Sequence, residues 1–382
     1  MLDFTQNNIY CVKMIRRTFK YRIFPNKSQI KKLERSLDSC RWLYNHFLEQ
    51  RKNSWEINKK SLFRYEQSRT IPILKKNNLF LNDTYSQVLQ DVSVRIDLAF
   101  RAFFKRIKSG GKPGYPRFKG KFRYNSFTYP QSGFKILKNI IQLSKIGNIK
   151  IKICRPINGK IKTCTIRRTA TNKWFVNLSC EIDNKFIKQS VEPSAGIDMG
   201  LEHFITISNG EHIKNPRFFR KEEKTLSKAQ RKFSAQKKAS KSRAKARKVV
   251  ARIHERISNK RHNFTHQLSR EIINKYNTVC VEDLSINNMQ KDNFRCLNKS
   301  ISDAAWQMFI DNLDYKAAEA GKRVIKINPA YTSQICSQCG TKQKLKLSDR
   351  SYLCSCCGLS INRDINAAKN ILTLGMQGLV SA

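Results

Sequence analysis

Acidic side chains are the scarce class in this sequence. Against 75 Lys and Arg, the 382 residues carry 28 Asp and Glu, a formal net charge of +47. A folded chain so charged repels itself, which implies that its working state includes a large polyanion. The cations run from Lys13 to Lys369 and are not gathered into one amphipathic helix, so the pattern points to nucleic acid and away from an anionic membrane surface. Long apolar runs are missing too. No stretch approaches the roughly 18 residues that a membrane-spanning helix needs, and the opening MLDFTQNNIY puts an acid where a signal peptide needs a basic flank, which predicts a cytoplasmic protein. Low-complexity tracts are absent as well. With 40% hydrophobic residues and 22 Phe there is apolar surface enough to order the chain, which excludes a disordered basic tail, and the length admits two or three domains.

Disulfides are not expected from the 12 cysteines. Cys11, Cys40, Cys154, Cys164, Cys180, Cys280 and Cys296 stand singly in apolar contexts and read as small core residues of a reducing compartment. The other five cluster as Cys336-x-x-Cys339 and Cys354-Ser-Cys356-Cys357. Two CxxC knuckles so spaced form a tetrahedral thiolate site for one Zn²⁺, with Cys336, Cys339, Cys354 and Cys357 as ligands, because each knuckle presents two sulfurs from one turn. Gly340 and Gly358 follow the second cysteine of each knuckle, where the backbone turns sharply. Cys356 lacks the spacing and is a spare thiol.

From Thr18 to Phe24 polar and apolar residues alternate as in a half-buried strand, which Pro25 stops. Ile30, Leu33, Leu37, Cys40, Tyr44 and Phe47 then step by three and four, and Val88, Val92, Ile96, Ala99 and Phe103 do so again before a basic loop over 105–121. This predicts a helical insertion. Between Phe122 and Ile182 the period becomes two, with Asn-Gly and Thr-Asn turn signals, which predicts a small antiparallel barrel or sandwich that takes in the Thr18 strand. A hairpin from Gly196, a short strand near His212, basic helices over 214–276, a buried strand Thr278–Asp283, a helix from about Asp303 to Glu319, a strand Arg323–Ile327 and a last helix from about Asp364 to Leu374 complete the chain. The order βββαβαβ and then a helix is that of the ribonuclease H-like fold, with the zinc module inserted before the final helix. Between Lys224 and Arg261 fifteen Lys and Arg face one acid, Glu255, a density that needs phosphates nearby.

With acids so few, one inside an apolar strand needs a reason. Asp198 lies between Ile197 and Met199, and Glu282 ends the run Val279-Cys280-Val281. In both places an unpaired carboxylate is disfavoured. Asp364 begins a helix, where its other reading is an N-cap. In a ribonuclease H-like sheet the first and fourth strands are neighbours and the last helix packs beside them, so the three carboxylates converge. Such a cluster suits two Mg²⁺ ions, Asp198 bridging both, Glu282 holding one and Asp364 the other, for phosphodiester hydrolysis. Asp283 is secondary. In the N-terminal half, Gln87 and Gln90, with Tyr85 and Ser86 beside them, are placed by helix spacing to read base edges, glutamine pairing with adenine; the alternative is that both are solvated.

Gly196-Ile-Asp-Met-Gly, Val281-Glu-Asp-Leu and Arg363-Asp-Ile-Asn-Ala-Ala-Lys-Asn-Ile371, with the knuckles between the last two, resemble the TnpB proteins of bacterial insertion sequences, compact relatives of type V CRISPR nucleases. Gly114-Tyr-Pro-Arg-Phe-Lys119 and Ser86-Gln87 resemble that family too, which adds Tyr115, Arg117 and Lys119 to the candidate nucleic-acid contacts. Where the family often has Asp-Arg-Asp, this chain has Asn362-Arg363-Asp364. The resemblance implies a multidomain α+β protein: a β-barrel wedge domain over 1–27 and 122–192, a helical recognition insertion over 28–121, a RuvC-like nuclease domain over 193–335, a zinc module over 336–360, and a final helix and tail over 361–382. It further implies a nuclease of the bacterial cytoplasm, one chain per guide RNA drawn from the transposon end, cutting double-stranded DNA beside a short transposon-adjacent motif and displacing one strand. A repressor with a silent nuclease should have lost a carboxylate, and a transposase would join strands as well as cut them.

Overall fold

The computed structural model describes residues 11–186, 191–291, 293–346 and 349–380. The opening decapeptide read above lies outside them. The chain divides into two compact units, one over Lys13–Asp183 and one from Asn184 onward.

In the first unit Phe19, Tyr21 and Ile23 are buried in alternation along β1 (Cys11–Phe24), which starts earlier than the predicted strand. Asn26 then caps α1 (Lys27–Asn58). Its side-chain oxygen accepts the Gln29 N–H at 2.9 Å while the Gln29 side chain accepts the Asn26 N–H at 2.9 Å, a reciprocal cap. The stripe from Leu33 to Phe47 is buried as expected. α2 (Arg64–Asn77) was not anticipated: Pro72 lies inside it and only Gln67 and Ile71 are buried, too few to show a period. α3 (Ser86–Lys108) carries the Val88 stripe. Arg51 joins the three helices, its guanidinium donating to Gln67 Oε1 at 2.8 Å and pairing with Asp97 at 3.5 Å.

Six further strands follow: β2 (Ser126–Tyr129), β3 (Phe134–Leu137), β4 (Ile140–Leu143), β5 (Gly147–Lys152), β6 (Lys160–Arg168) and β7 (Trp174–Phe186). With β1 they form one sheet in the order β2-β6-β7-β1-β5-β4-β3. One continuous sheet whose end strands, β2 and β3, follow one another in the chain favours the barrel over the sandwich, and its core is shared with α1 and α3. Ile149, Ile151, Cys164, Ile166, Val176, Leu178 and Cys180 are buried at every second position. α3 docks here through Arg95, which donates to the Ser126 carbonyl and Thr128 Oγ1, each at 2.7 Å.

The second unit is built on β8 (Ser194–Asp198), β9 (His203–Ile207) and β10 (His212–Lys214), an antiparallel meander. α4 (Phe218–Ser234) and α5 (Lys241–Lys275) lead to β11 (Thr278–Glu282). The short α6 (Ile286–Met289), then α7 (Arg295–Ala304) and α8 (Trp306–Ala320), lead to β12 (Arg323–Ile327). The strand order is β10-β9-β8-β11-β12, with β8, β11 and β12 parallel. β11 is buried at all five positions, as a parallel strand covered on both faces must be. One face packs on α5 and α8 through Phe204, Leu268, Ile272 and Phe309. The other is covered by α9 (Arg363–Val380), which follows the small hairpin β13 (Ser351–Leu353) and β14 (Ser360–Asn362). A Cβ on Gly196 would overlap the Ala368 carbonyl and the Leu372 N–H, so glycine is what lets α9 lie directly on β8.

Three expectations need correction. The helix from about Asp303 to Glu319 is two helices, broken where Ala305 turns left-handed at φ 58°. Asp303 closes the first of them and caps α4, accepting the Phe219 N–H at 2.8 Å and the Arg261 guanidinium at 2.7 Å. The last helix extends beyond Leu374 to Val380. Among the single cysteines, Cys40, Cys164, Cys180 and Cys280 are buried, but Cys154, past the end of β5, and Cys296, in the first turn of α7, are exposed. Among the described residues no helix is long and apolar enough to cross a membrane.

Candidate metal centres

β8 and β11 run parallel with Ile197 opposite Val281, so the next residues, Asp198 and Glu282, emerge side by side at the carboxyl end of the sheet. α9 brings Asp364 to the same end from its first turn. Their electrostatics report the grouping. The Asp198 carboxyl is pushed up to about 8, first by burial and then by the charges of Glu282 and Asp364, against the opposing pull of Arg363 and the Met199 N–H. Glu282, 7% exposed, is raised by burial and held back by a hydrogen bond from Thr332. Asp283 is exposed, outside the cluster. Grouped at one end of the sheet, the three carboxylates offer hard oxygen donors, the class that Mg²⁺ prefers, though their oxygens are not gathered as closely as the cysteine sulfurs.

The four cysteines are gathered more tightly. All their sulfurs lie within 4.8 Å of one another, the one such group among the described residues. Cys336 and Cys357 approach to 3.6 Å, and Cys339 and Cys354 to 3.5 Å. In each knuckle the glycine turns left-handed, Gly340 at φ 75° and Gly358 at φ 72°, and returns its N–H to the first cysteine's carbonyl. Tyr352, fully buried, packs inside the module and reaches the Gln334 and Thr341 carbonyls with its hydroxyl. Thr341 lowers the Cys339 pKa by hydrogen bonding, favouring the thiolate that binds metal. Cys356 is exposed and outside the set.

Several residues of this region escaped the sequence reading. Thr332 Oγ1 donates to Glu282 Oε1 at 2.6 Å. Asn370 donates to the carbonyls of Thr332 and Ile335 at 2.9 and 2.6 Å, and Asn366 to that of Ile335 at 2.7 Å while accepting the Ser337 N–H at 2.9 Å. The signal was there: two asparagines four apart on the buried face of an apolar helix must find polar partners. Asn362 accepts the N–H of Asp364 at 2.9 Å and is the cap of α9.

The remaining candidates lie in the first unit. Tyr85 shares a hydrogen bond with Ser132, and the Gln87 side-chain carbonyl accepts from both the N–H and the hydroxyl of Ser132 at 3.2 and 3.1 Å. Ser86 accepts from Lys75 at 3.0 Å. Gln90 is exposed. Tyr115 packs edge-on against Phe100 and Phe103. Asn45 clamps the Lys119 backbone at both N–H and carbonyl, and Arg117 projects into solvent.

Three family profiles match this chain: OrfB_IS605, described as "Probable transposase", over residues 177–293; "Cas12f1-like, TNB domain" over 306–371; and "Helix-turn-helix domain" over 14–60. The last covers β1 and α1, which are a strand and one uninterrupted helix of 32 residues. A protein of Streptomyces pristinaespiralis named "Putative RNA-guided DNA endonuclease" is 35% identical over 374 residues, 96% of this chain and 90% of that protein. InsQ of Escherichia coli K12, which bears the same description, is 29% identical over 379 residues, 94% and 92% of the two chains. In fold, the chain resembles Cas12f1 as solved in a complex with guide RNA and target DNA, with a TM-score of 0.57 at 16% identity over 94% of this chain and 98% of that one.

Proposed function

The chain belongs to the TnpB family, and we propose that it is an RNA-guided, Mg²⁺-dependent DNA endonuclease of a bacterial insertion sequence, acting in the cytoplasm. The observation that carries the reading is the convergence of Asp198, Glu282 and Asp364 from three separate elements, with Asp198 pushed up to about 8 in part by the other two. A strand order of β10-β9-β8-β11-β12 with α9 over β8 and β11 supports a ribonuclease H-like, RuvC-type domain over 193–335 and 361–382. The zinc module is 336–360. The first unit is read as a wedge domain over 1–27 and 122–192 with a recognition insertion over 28–121.

Asp198 would hold two Mg²⁺ ions in common, with Glu282 on one and Asp364 on the other. Held by these residues, the ions would supply an activated water and stabilisation of the departing 3′-oxygen. Burial and its two acidic neighbours favour the protonated form of Asp198 in the metal-free protein, and it would give up that proton on becoming a ligand. Thr332 fixes one oxygen of Glu282. Cys336, Cys339, Cys354 and Cys357 suit one structural Zn²⁺, a closed four-thiolate site that contributes folding energy and takes no part in chemistry. The cations of α4 and α5 neutralise phosphates, which predicts co-purification with a structured RNA and binding that weakens steeply with salt. Base pairing to that RNA reads the target, and the protein reads only a short flanking duplex. The sequence retains all three carboxylates, which disfavours a silent repressor. A strand transferase would give joined products. The test is cleavage directed by a supplied guide and lost in Asp198→Ala.

A further inference from the structure

Thr332 stands where the carboxylate cluster and the cysteine knuckle meet. It is 4% exposed, and its hydroxyl has a single proton to give. Glu282 Oε1 lies at 2.6 Å and the Pro329 carbonyl at 3.2 Å, so the carboxylate takes it. Glu282 ends a strand buried along its whole length, and its long side chain has rotamers that the strand alone does not choose among. The Thr332 bond fixes one oxygen and leaves Oε2 as the oxygen it does not engage.

What fixes Thr332 is α9. Asn370 holds the Thr332 carbonyl, Asn370 and Asn366 together hold that of Ile335, and Asn366 accepts the Ser337 N–H. The segment 332–337 is therefore strapped to the helix that carries Asp364. It ends inside the first knuckle, since Ser337 lies between Cys336 and Cys339. Buried asparagines are costly unless paired, and every amide bond named here goes to this strap. An apolar pair could have packed the same helix without aiming a hydroxyl at a carboxylate.

We propose that Thr332 is a positioning residue of the nuclease centre: its hydroxyl, held by the Asn366 and Asn370 clamp, sets the Glu282 carboxylate for the metal and makes the first cysteine knuckle a mechanical part of the site. The inference rests on the nuclease reading above. Outer partners of metal ligands typically alter metal affinity about 10- to 100-fold.

The experiment uses the guide-loaded protein on matched DNA, comparing wild type, Thr332→Val and Thr332→Ser. Mn²⁺ is the probe, its binding to a complex with uncleavable DNA followed by electron paramagnetic resonance, with zinc content and target binding measured on the same samples. Thr332→Val is expected to bind target normally, to bind Mn²⁺ about tenfold more weakly and to cut about tenfold more slowly. Thr332→Ser restores both. Wild-type Mn²⁺ affinity and rate in Thr332→Val overturn the positioning role while leaving the nuclease reading intact. If Thr332→Val loses zinc or melts early, the serine variant decides, and Mn²⁺ binding as weak as that of the valine variant despite an intact fold overturns it. A wild-type complex that neither binds Mn²⁺ nor cuts removes the nuclease reading and this inference together.

Discussion

Asn362 Oδ1 accepts the backbone N–H of Asp364 at 2.9 Å, so the cap of the last helix comes from the neighbour and does not consume the Asp364 carboxylate. The same oxygen takes the Ile365 N–H at 3.3 Å. Asparagine caps as well as aspartate does, which explains how a family position that often carries an acid is filled here without one. Asn362→Ala should cost about 1 kcal/mol of stability, read as a lowered melting temperature. Asp364→Ala should leave stability nearly unchanged and abolish cleavage. If Asp364→Ala proves the more destabilising of the two and still cuts, Asp364 is the cap and not a ligand.

Zinc analysis separates the two cysteines that share a knuckle. Cys356 is exposed and lies outside the sulfur cluster, so Cys356→Ser should keep one zinc per chain. Cys354→Ser should lose the metal and destabilise the module, because a structural zinc is part of its folding free energy. Retention by Cys354→Ser with loss from Cys356→Ser would reverse the ligand assignment.

The raised Asp198 carboxyl makes a pH prediction with a definite sign. Folded and metal-free, it holds its proton up to about pH 8, whereas unfolded it releases it near the ordinary carboxylate value of 3.8. Across that window the native state binds more protons, so its stability falls as pH rises. Glu282, also raised, acts in the same direction. With Mg²⁺ left out, the melting temperature of Asp198→Asn should exceed that of wild type by a margin that widens with pH. A constant margin would mean that Asp198 ionises freely in the fold.

Motif reading should depend on Gln90 more than on Gln87. The Gln87 side-chain carbonyl is already engaged by Ser132, and bidentate pairing with adenine needs both ends of the amide. Randomising the bases beside a fixed guide match, Gln90→Ala should relax an A/T preference about tenfold or more, while Gln87→Ala mainly loosens the 130–133 loop. An unchanged preference in Gln90→Ala places the reader elsewhere.

Much of this was legible in the sequence, and the reason differs by residue. Buried strands announce themselves by period, so Phe19, Tyr21 and Ile23 placed β1, and Val279 to Val281 placed β11. Asp198 and Glu282 stood out because ionisable groups in such runs are costly. The cysteines were readable from spacing alone. α2 was not, since Pro72 and a mostly exposed surface leave it no stripe. Nor was the break at Ala305, a left-handed alanine that no local residue preference favours. Thr332 was hidden for another reason. Its partner Glu282 is fifty residues away, and only the packing of α9 on the sheet, permitted by Gly196, brings strap and strand together.

Programmed cleavage tests the central claim most directly. Purified protein, a supplied guide RNA and Mg²⁺ are given a matched duplex, a mismatched duplex and a matched duplex with altered flanking bases. Wild type should cut only the matched duplex with its proper flank, and Asp198→Ala should bind that duplex equally well and leave it whole. Cutting by Asp198→Ala at the wild-type rate, or wild-type cutting that ignores the guide, would contradict the account.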